Sequence, residues 1–223
     1  MKATAFFSIL VAGVSSSIMV DCMPAVAATV SNFQFQNILG GDTIGDAYAP
    51  DFSFSLSDNG AGRVVFKFSN QGSFPHALKQ VAFSVDPTMS GILSNILVNV
   101  DNSAGVNFQF STQNLSQSNH ILGWDGTTFG ARTQGGNANS VQPTESLGIQ
   151  FNGNYEDVLA AINSGTLKVG IHVGSLPGGA SDSYVNTPVP EPCTILGTGM
   201  AFGIGGLLKR KYAKRWNQQK ASV

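Results

Sequence analysis

The chain is poor in cysteine and in charge. Two cysteines occur in 223 residues, Cys22 and Cys193, and both lie toward the ends. The long stretch between them has no disulfide, so packing alone must hold it. Charged residues make up 11 % of the chain, and histidines number three, His76, His120 and His172. No two histidines stand at a metal-pair spacing, and there is no H-E-x-x-H, so a zinc site of that kind is excluded. No G-x-S-x-G elbow marks an activated serine. No D-x-[DN]-x-[DN]-G loop occurs, and Asp58-Asn59-Gly60 and Asp101-Asn102 read as turn residues rather than calcium ligands. Basic residues are also scarce where they would matter for nucleic acid. Between Ala28 and Pro188 stand five (Arg63, Lys67, Lys79, Arg132, Lys168) against eleven acidic ones, a net charge of −6. An acidic domain with no basic cluster argues against nucleic acid as a partner.

What the chain does have is concentrated at its ends. Met1-Lys2 is a short positive start, Ala3–Val20 is apolar and small, and Ala25-Val26-Ala27 is an A-x-A cleavage site. This is the pattern of a secretory signal peptide over residues 1–27, with Ala25 and Ala27 as the small residues of the signal-peptidase site, leaving Ala28 or Thr29 as the mature start. Asp21 before Cys22 departs from a lipoprotein box. At the other end, residues 188–223 carry Val189-Pro190-Glu191-Pro192, an uncharged run Cys193–Leu208, and the basic stop Lys209-Arg210-Lys211. The prolines keep the motif extended and start a helix cleanly. As a helix the run reaches roughly 24 Å at about 1.5 Å per residue, short of a bilayer core of about 30 Å unless flanking side chains snorkel. Lys209, Arg210, Lys211, Lys214, Arg215 and Lys220 follow with no acidic residue, which places the basic tail 209–223 on the cytoplasmic side and the preceding domain outside.

The three-part order at the extreme C-terminus resembles the PEP-CTERM sorting signal of bacterial surface proteins, a tail also labelled an ice-binding-protein C-terminal domain. The resemblance covers about the last 35 residues. It implies recognition of Val189-Pro190-Glu191-Pro192 by an exosortase-like processing enzyme while the helix 193–208 sits in the membrane. It further implies export to the cell surface or extracellular matrix, often with exopolysaccharide. The glycines of Cys193–Leu208 are read as keeping the helix pliable for that enzyme, rather than as a Gly199–Gly203 helix contact.

The middle, residues 28–187, reads as one β domain. Phe52-Ser53-Phe54-Ser55-Leu56-Ser57 alternates cleanly, Asp58–Gly62 turns, and Arg63–Phe68 answers with Val64, Phe66 and Phe68, a hairpin. Further strands are expected over Thr29–Gln36 (Val30, Phe33, Phe35 inward), Gln80–Val85, Val106–Phe110, Leu147–Phe151, Thr166–Val173 and Ser181–Asn186, and Ile92–Val100 reads as a strand or as a bent segment that supports the next turn. His172 alternates opposite its strand's apolar face and is expected to face solvent. Asn154 caps one helix, with Glu156 and Asp157 in its first turn, Tyr155, Val158, Leu159 and Ile162 on one face, and Gly165 as the stop. Gln113–Pro143 reads as one long polar loop, of a length that carries function or disorder.

The expected fold is therefore all-β, an antiparallel β-sandwich, jelly-roll-like or Ig-like, with one short helix and a C-terminal transmembrane helix. The terminal segment Leu167–Asn186 is similar to the closing strand pair of PEP-CTERM ectodomains. Trp124 and Phe129, inside the long loop, are the candidate ligand contacts, as aromatics that stack on sugar rings. No catalytic residue, metal or cofactor is identified, because Glu145, Glu156 and Asp157 occupy a loop edge and a helix start. The expected role is a non-catalytic structural or adhesive matrix protein. The alternatives are a carbohydrate-binding module or a secreted glycosidase or esterase of sandwich fold.

Overall fold

A computed structural model describes residues 29–124 and 128–186. Ten strands and one helix form: β1 Val30–Asn37, β2 Phe52–Asp58, β3 Arg63–Asn70, β4 Ala77–Val85, β5 Ser94–Val98, β6 Phe108–Ser111, β7 Phe129–Thr133, β8 Ser146–Asn152, α1 Tyr155–Ser164, β9 Leu167–Gly174 and β10 Asp182–Asn186. They hydrogen-bond in one order, β5-β8-β3-β2-β1-β10-β9-β4-β7-β6, with antiparallel neighbours throughout. The all-β antiparallel expectation with one helix is what forms, as a single ten-stranded sheet nearly closed on itself. Among the described residues no helix is long and apolar enough to cross a membrane. The signal segment 1–27, with Ala25 and Ala27, lies outside the described residues. So do the motif Val189–Pro192, the run 193–208 and the basic stop.

The best strand signals pair as their alternation requires. In the β2–β3 hairpin Phe54 faces Phe68 and Leu56 faces Phe66, all buried. Its turn is made by the Asp58 carboxylate, which accepts from the Gly60 amide at 2.8 Å, and by Gly60 and Gly62 at positive φ. β1 is shared between the two halves of the sheet. Val30–Gln34 pair with β2, whereas Phe35–Asn37 pair with β10. Phe33 and Phe35 are buried, but Val30, expected inward, is 51 % exposed. It stands at the strand's start, one step out of phase with Phe33, so alternation puts it on the other face.

The two halves face each other through aromatic side chains. Phe83 of β4 meets Phe66 of β3 and Phe151 of β8 edge-on at 5.0 Å each, and Phe33 stacks on Phe54 at 4.8 Å. Burying each such side chain contributes about 1.5–3 kcal/mol, and the edge-on contacts add about 0.5–1.5 kcal/mol. The helix forms as its pattern predicts. The Asn154 side chain accepts from the Asp157 amide at 3.2 Å, Gly165 ends the helix at φ +76, and Tyr155, Val158, Ala161 and Ile162 are buried. The Tyr155 hydroxyl lies 2.9 Å from the Ser31 hydroxyl, tying the helix start to β1.

Where the order ends, at β5 and β6, amide side chains close the gap. Asn99 accepts from the Phe108 amide at 2.9 Å and donates to the Phe108 carbonyl at 2.8 Å, imitating a strand neighbour. Asn102 donates to the Val106 carbonyl and to the Asn99 side chain, and accepts from the Gly148 amide at 2.9 Å.

The long loop expected over Gln113–Pro143 is interrupted by β7. That strand escapes the alternation test because its central residues are Gly130 and Ala131. A side chain at Gly130 would strike the Val81 carbonyl, so close backbone approach, not apolar burial, selects the residue. Core packing across the halves predicts that Phe83→Ala lowers unfolding free energy by about 3–5 kcal/mol. Leu97→Ala, at an exposed position of β5, should change it by less than about 0.5 kcal/mol. Urea denaturation of the two variants checks this, and equal losses would overturn the assignment of Phe83 to the core.

Candidate functional site

The two aromatic ligand candidates are placed on opposite faces of one half of the sheet. Phe129 is not a loop residue: it opens β7, pairs with Phe83, and its ring stacks on Phe83 at 5.7 Å on the core side. Trp124 lies on the outer face. Its Nε1 donates to the Asn114 side chain at 2.8 Å, and with Leu115 its ring covers Gly170 of β9 so closely that any side chain there would collide with both. Backbone pairing drew Phe129 inward and the absence of a Gly170 side chain drew Trp124 down. The structure does not bring the two together as one sugar-stacking platform.

Three groups of polar side chains are brought together instead. The first centres on Asp182, which is buried although its neighbours in sequence read as a polar turn. Its carboxylate accepts from the Gly45 amide at 3.1 Å, the Gln117 side chain at 3.0 Å and the Ser183 amide at 2.7 Å. Three donors replace water around the buried carboxylate. Gln117 also accepts from the Asp42 amide at 2.9 Å, so one side chain joins three segments. Beside it the Tyr184 hydroxyl donates to the Gly45 carbonyl at 2.7 Å. Burial pushes the Tyr184 phenol well above its ordinary range, with the charges of Asp182, Asp46 and Asp51 adding to the effect. The second group is His76 and Asp51, 3.0 Å apart, under the rings of Tyr48 and Phe74. The third is His172 with Ser183, Nδ1 to Oγ 2.9 Å. His172 does face outward, as alternation requires, but it is half-buried among neighbouring side chains. Ser183 itself is buried, so the pair offers no nucleophile to a substrate.

A concavity lies on the same outer face, at the end where β10 finishes. It is a groove of about 280 Å³, walled by Ile38, Leu39, Ile121, Leu122, Lys168 and Val185, with Asn186 at one end. Two copies of one tripeptide build it: Ile38-Leu39-Gly40 and Ile121-Leu122-Gly123. In each, the isoleucine packs into the cluster of Ala82, Leu115 and Val185, the glycine turns the chain at positive φ, and the leucine is left outside. Leu39 is 88 % exposed and Leu122 is 95 % exposed. The turns touch, since a side chain at Gly40 would meet His120. Lys168 fastens the second turn, donating to the Gly123 carbonyl at 3.1 Å and to the Gly165 carbonyl at 2.6 Å. Reading the chain strand by strand overlooks these leucines, because each stands alone in a polar loop. The shared tripeptide, which the sequence carries a third time at Ile195-Leu196-Gly197, is the signal the two turns have in common. Asp182 has no such signal, since its donors at Gly45 and Gln117 are remote in sequence. Among the described residues no group of three or more His, Cys, Asp or Glu side chains is arranged to hold a metal ion.

His172 generates a pH prediction. Burial lowers its affinity for a proton, the charge of Lys79 adds to this, and Asp182 opposes it. A folded value below the unfolded one, near 6.5, means that the unfolded chain takes up the proton first as pH falls. The stability contributed by neutral His172 is present above that pH and is lost as pH falls toward the folded value. Urea midpoints at pH 7.5 and 5.5 should therefore differ more for the natural chain than for His172→Gln, and identical differences would overturn the assignment. Comparison of the chain with protein-family models, with curated proteins and with solved structures finds no match.

Proposed function

We propose that this chain is an exported surface protein, processed through its own C-terminal sorting signal, whose domain serves as a non-catalytic structural or adhesive component of an extracellular matrix that contains exopolysaccharide. The observation that carries this reading is the order Val189-Pro190-Glu191-Pro192, uncharged run, Lys209-Arg210-Lys211, at the opposite end from an A-x-A signal segment. An exosortase-like enzyme acts on the tail while 193–208 lies in the membrane, and the domain on the outer side then reaches the cell surface.

The domain's construction supports the role. The polar side chains brought together in it are spent on internal anchoring: Asp182 holds Gly45 and Gln117, His172 holds Ser183, and His76 holds Asp51. We read the nearly closed sheet as a two-layer sandwich of jelly-roll-like or Ig-like kind, joined through β1. Such a body, free of disulfides and held by packing, suits a matrix component that works by presenting surface rather than by turnover.

The test is the intact mass of the protein recovered from the cell surface. Loss of the first 27 or so residues and of everything beyond Pro192 is the expected result. A mass that retains Cys193–Val223 would make the chain an ordinary anchored protein and overturn processing. Robust hydrolase activity from the same material would overturn the non-catalytic role.

A further inference from the structure

We infer that the groove between the twin Ile-Leu-Gly turns is a membrane-contacting surface, which lays Leu39 and Leu122 into the lipid interface of the bilayer that the chain's own C-terminal run enters. The inference rests on the reading of Cys193–Leu208 as a membrane segment, and deepens it by naming the face that the domain turns toward the lipid.

Exposure is the first observation. Scattered apolar residues are ordinary on a protein surface, but these two are almost wholly exposed and wall one groove. The two turns place them by the same device: an isoleucine packed on the outer cluster as root (Ile38 buried, Ile121 partly buried), a left-handed glycine as pivot and a leucine held outward. Built twice, from segments 83 residues apart in sequence, this arrangement presents apolar side chains from a rigid base. An interfacial anchor has that character.

Charge is the second. The domain has eleven acidic residues against five basic, yet among the described residues no carboxylate lines the groove, whose titratable side chains there are Lys168 and His120. A surface of that kind is the part of an acidic domain least repelled by anionic headgroups.

Position is the third. Asn186, the last residue of β10, lies in the groove wall. Its side chain accepts from the Val169 amide at 2.7 Å, one step beyond the last paired residues of the ladder with β9, Val185 and Gly170. Only Thr187–Pro192 separate Asn186 from Cys193. Six residues span at most about 20 Å, so the groove cannot lie far from the bilayer while the tail is in place. The six-residue tether also makes a weak surface sufficient, because it holds the leucines at high local concentration over the lipid.

The test uses the chain from Ala28 to Val223 with Cys193→Ser, incorporated into vesicles of phosphatidylethanolamine and phosphatidylglycerol. An environment-sensitive dye is attached at Leu122→Cys or, as control, at Lys67→Cys on the outer face of β3 in the other half of the sheet. The expected result is co-flotation of both proteins, with blue-shifted emission, quenched by brominated acyl chains, from position 122 alone. Adding Leu39→Asp should shift the emission at 122 back toward water without changing the melting temperature or flotation. Co-flotation with equal, water-like emission at both positions would overturn the membrane-contacting surface and leave the tail reading intact. Failure to float at all would overturn the membrane reading of the tail, and this inference with it.

Discussion

Phe83 is the point on which the domain depends. Its ring reaches from β4 across the core to Phe66 and Phe151 of the opposite half, and Phe68 lies 6.2 Å away. With neither cysteine inside the domain, these contacts and their neighbours are what hold the two faces together. They hold because the sheet fixes where each ring stands. β1 belongs to both halves, so neither half can slide along the other without breaking ladder bonds at Phe35–Asn37 or Val30–Gln34. The amide bridges of Asn99 and Asn102 limit splaying at the far side. Cross-core packing and strand sharing therefore support one another, and a change at either is felt at both.

The same constraint sets up the outer face. Tight packing of β9 between β10 and β4 leaves Gly170 as a shallow seat, and Leu115 and Trp124 settle on it. Once the segment 113–124 is pinned there, Gln117 reaches Asp182 and the Asp42 amide, and the loop after β1 is drawn beside it. The twin turns that carry Leu39 and Leu122 are thus held by a buried carboxylate and a glycine, neither of which lies in the groove. Loops owe their placement to bonds formed beneath them, which explains how two short polar segments can offer apolar side chains at defined positions.

Much of this was legible in the residues. The alternation of Phe52–Ser57 and Arg63–Phe68 carries its own pairing, because a one-residue slip would expose every phenylalanine. The helix was legible for the same reason: Asn154, the apolar spacing and Gly165 are local. β7 was not, since Gly130 and Ala131 are chosen for closeness to β4 and leave no hydrophobic period. Phe129 and Trp124 could be named as aromatics in a polar stretch, but the side of the sheet each takes follows from pairing with Phe83 and from the empty space at Gly170. The central place of β10 was also hidden. A strand last in sequence reads like a closing edge, yet Asp182–Asn186 is buried throughout because its neighbours are the first strand and the ninth.

That placement governs how load enters the molecule. A pull on the chain beyond Asn186 arrives along the axis of β10, which is gripped by β1 on one side and β9 on the other. Its backbone bonds are then strained together in shear, rather than opened one after another as at a free edge. The strand is also the last to be synthesised, and the first strand has no partner on that side until it arrives. The described domain therefore locks only once Asp182–Asn186 is in place, and the strand that completes the sheet is the one from which the chain continues beyond Asn186.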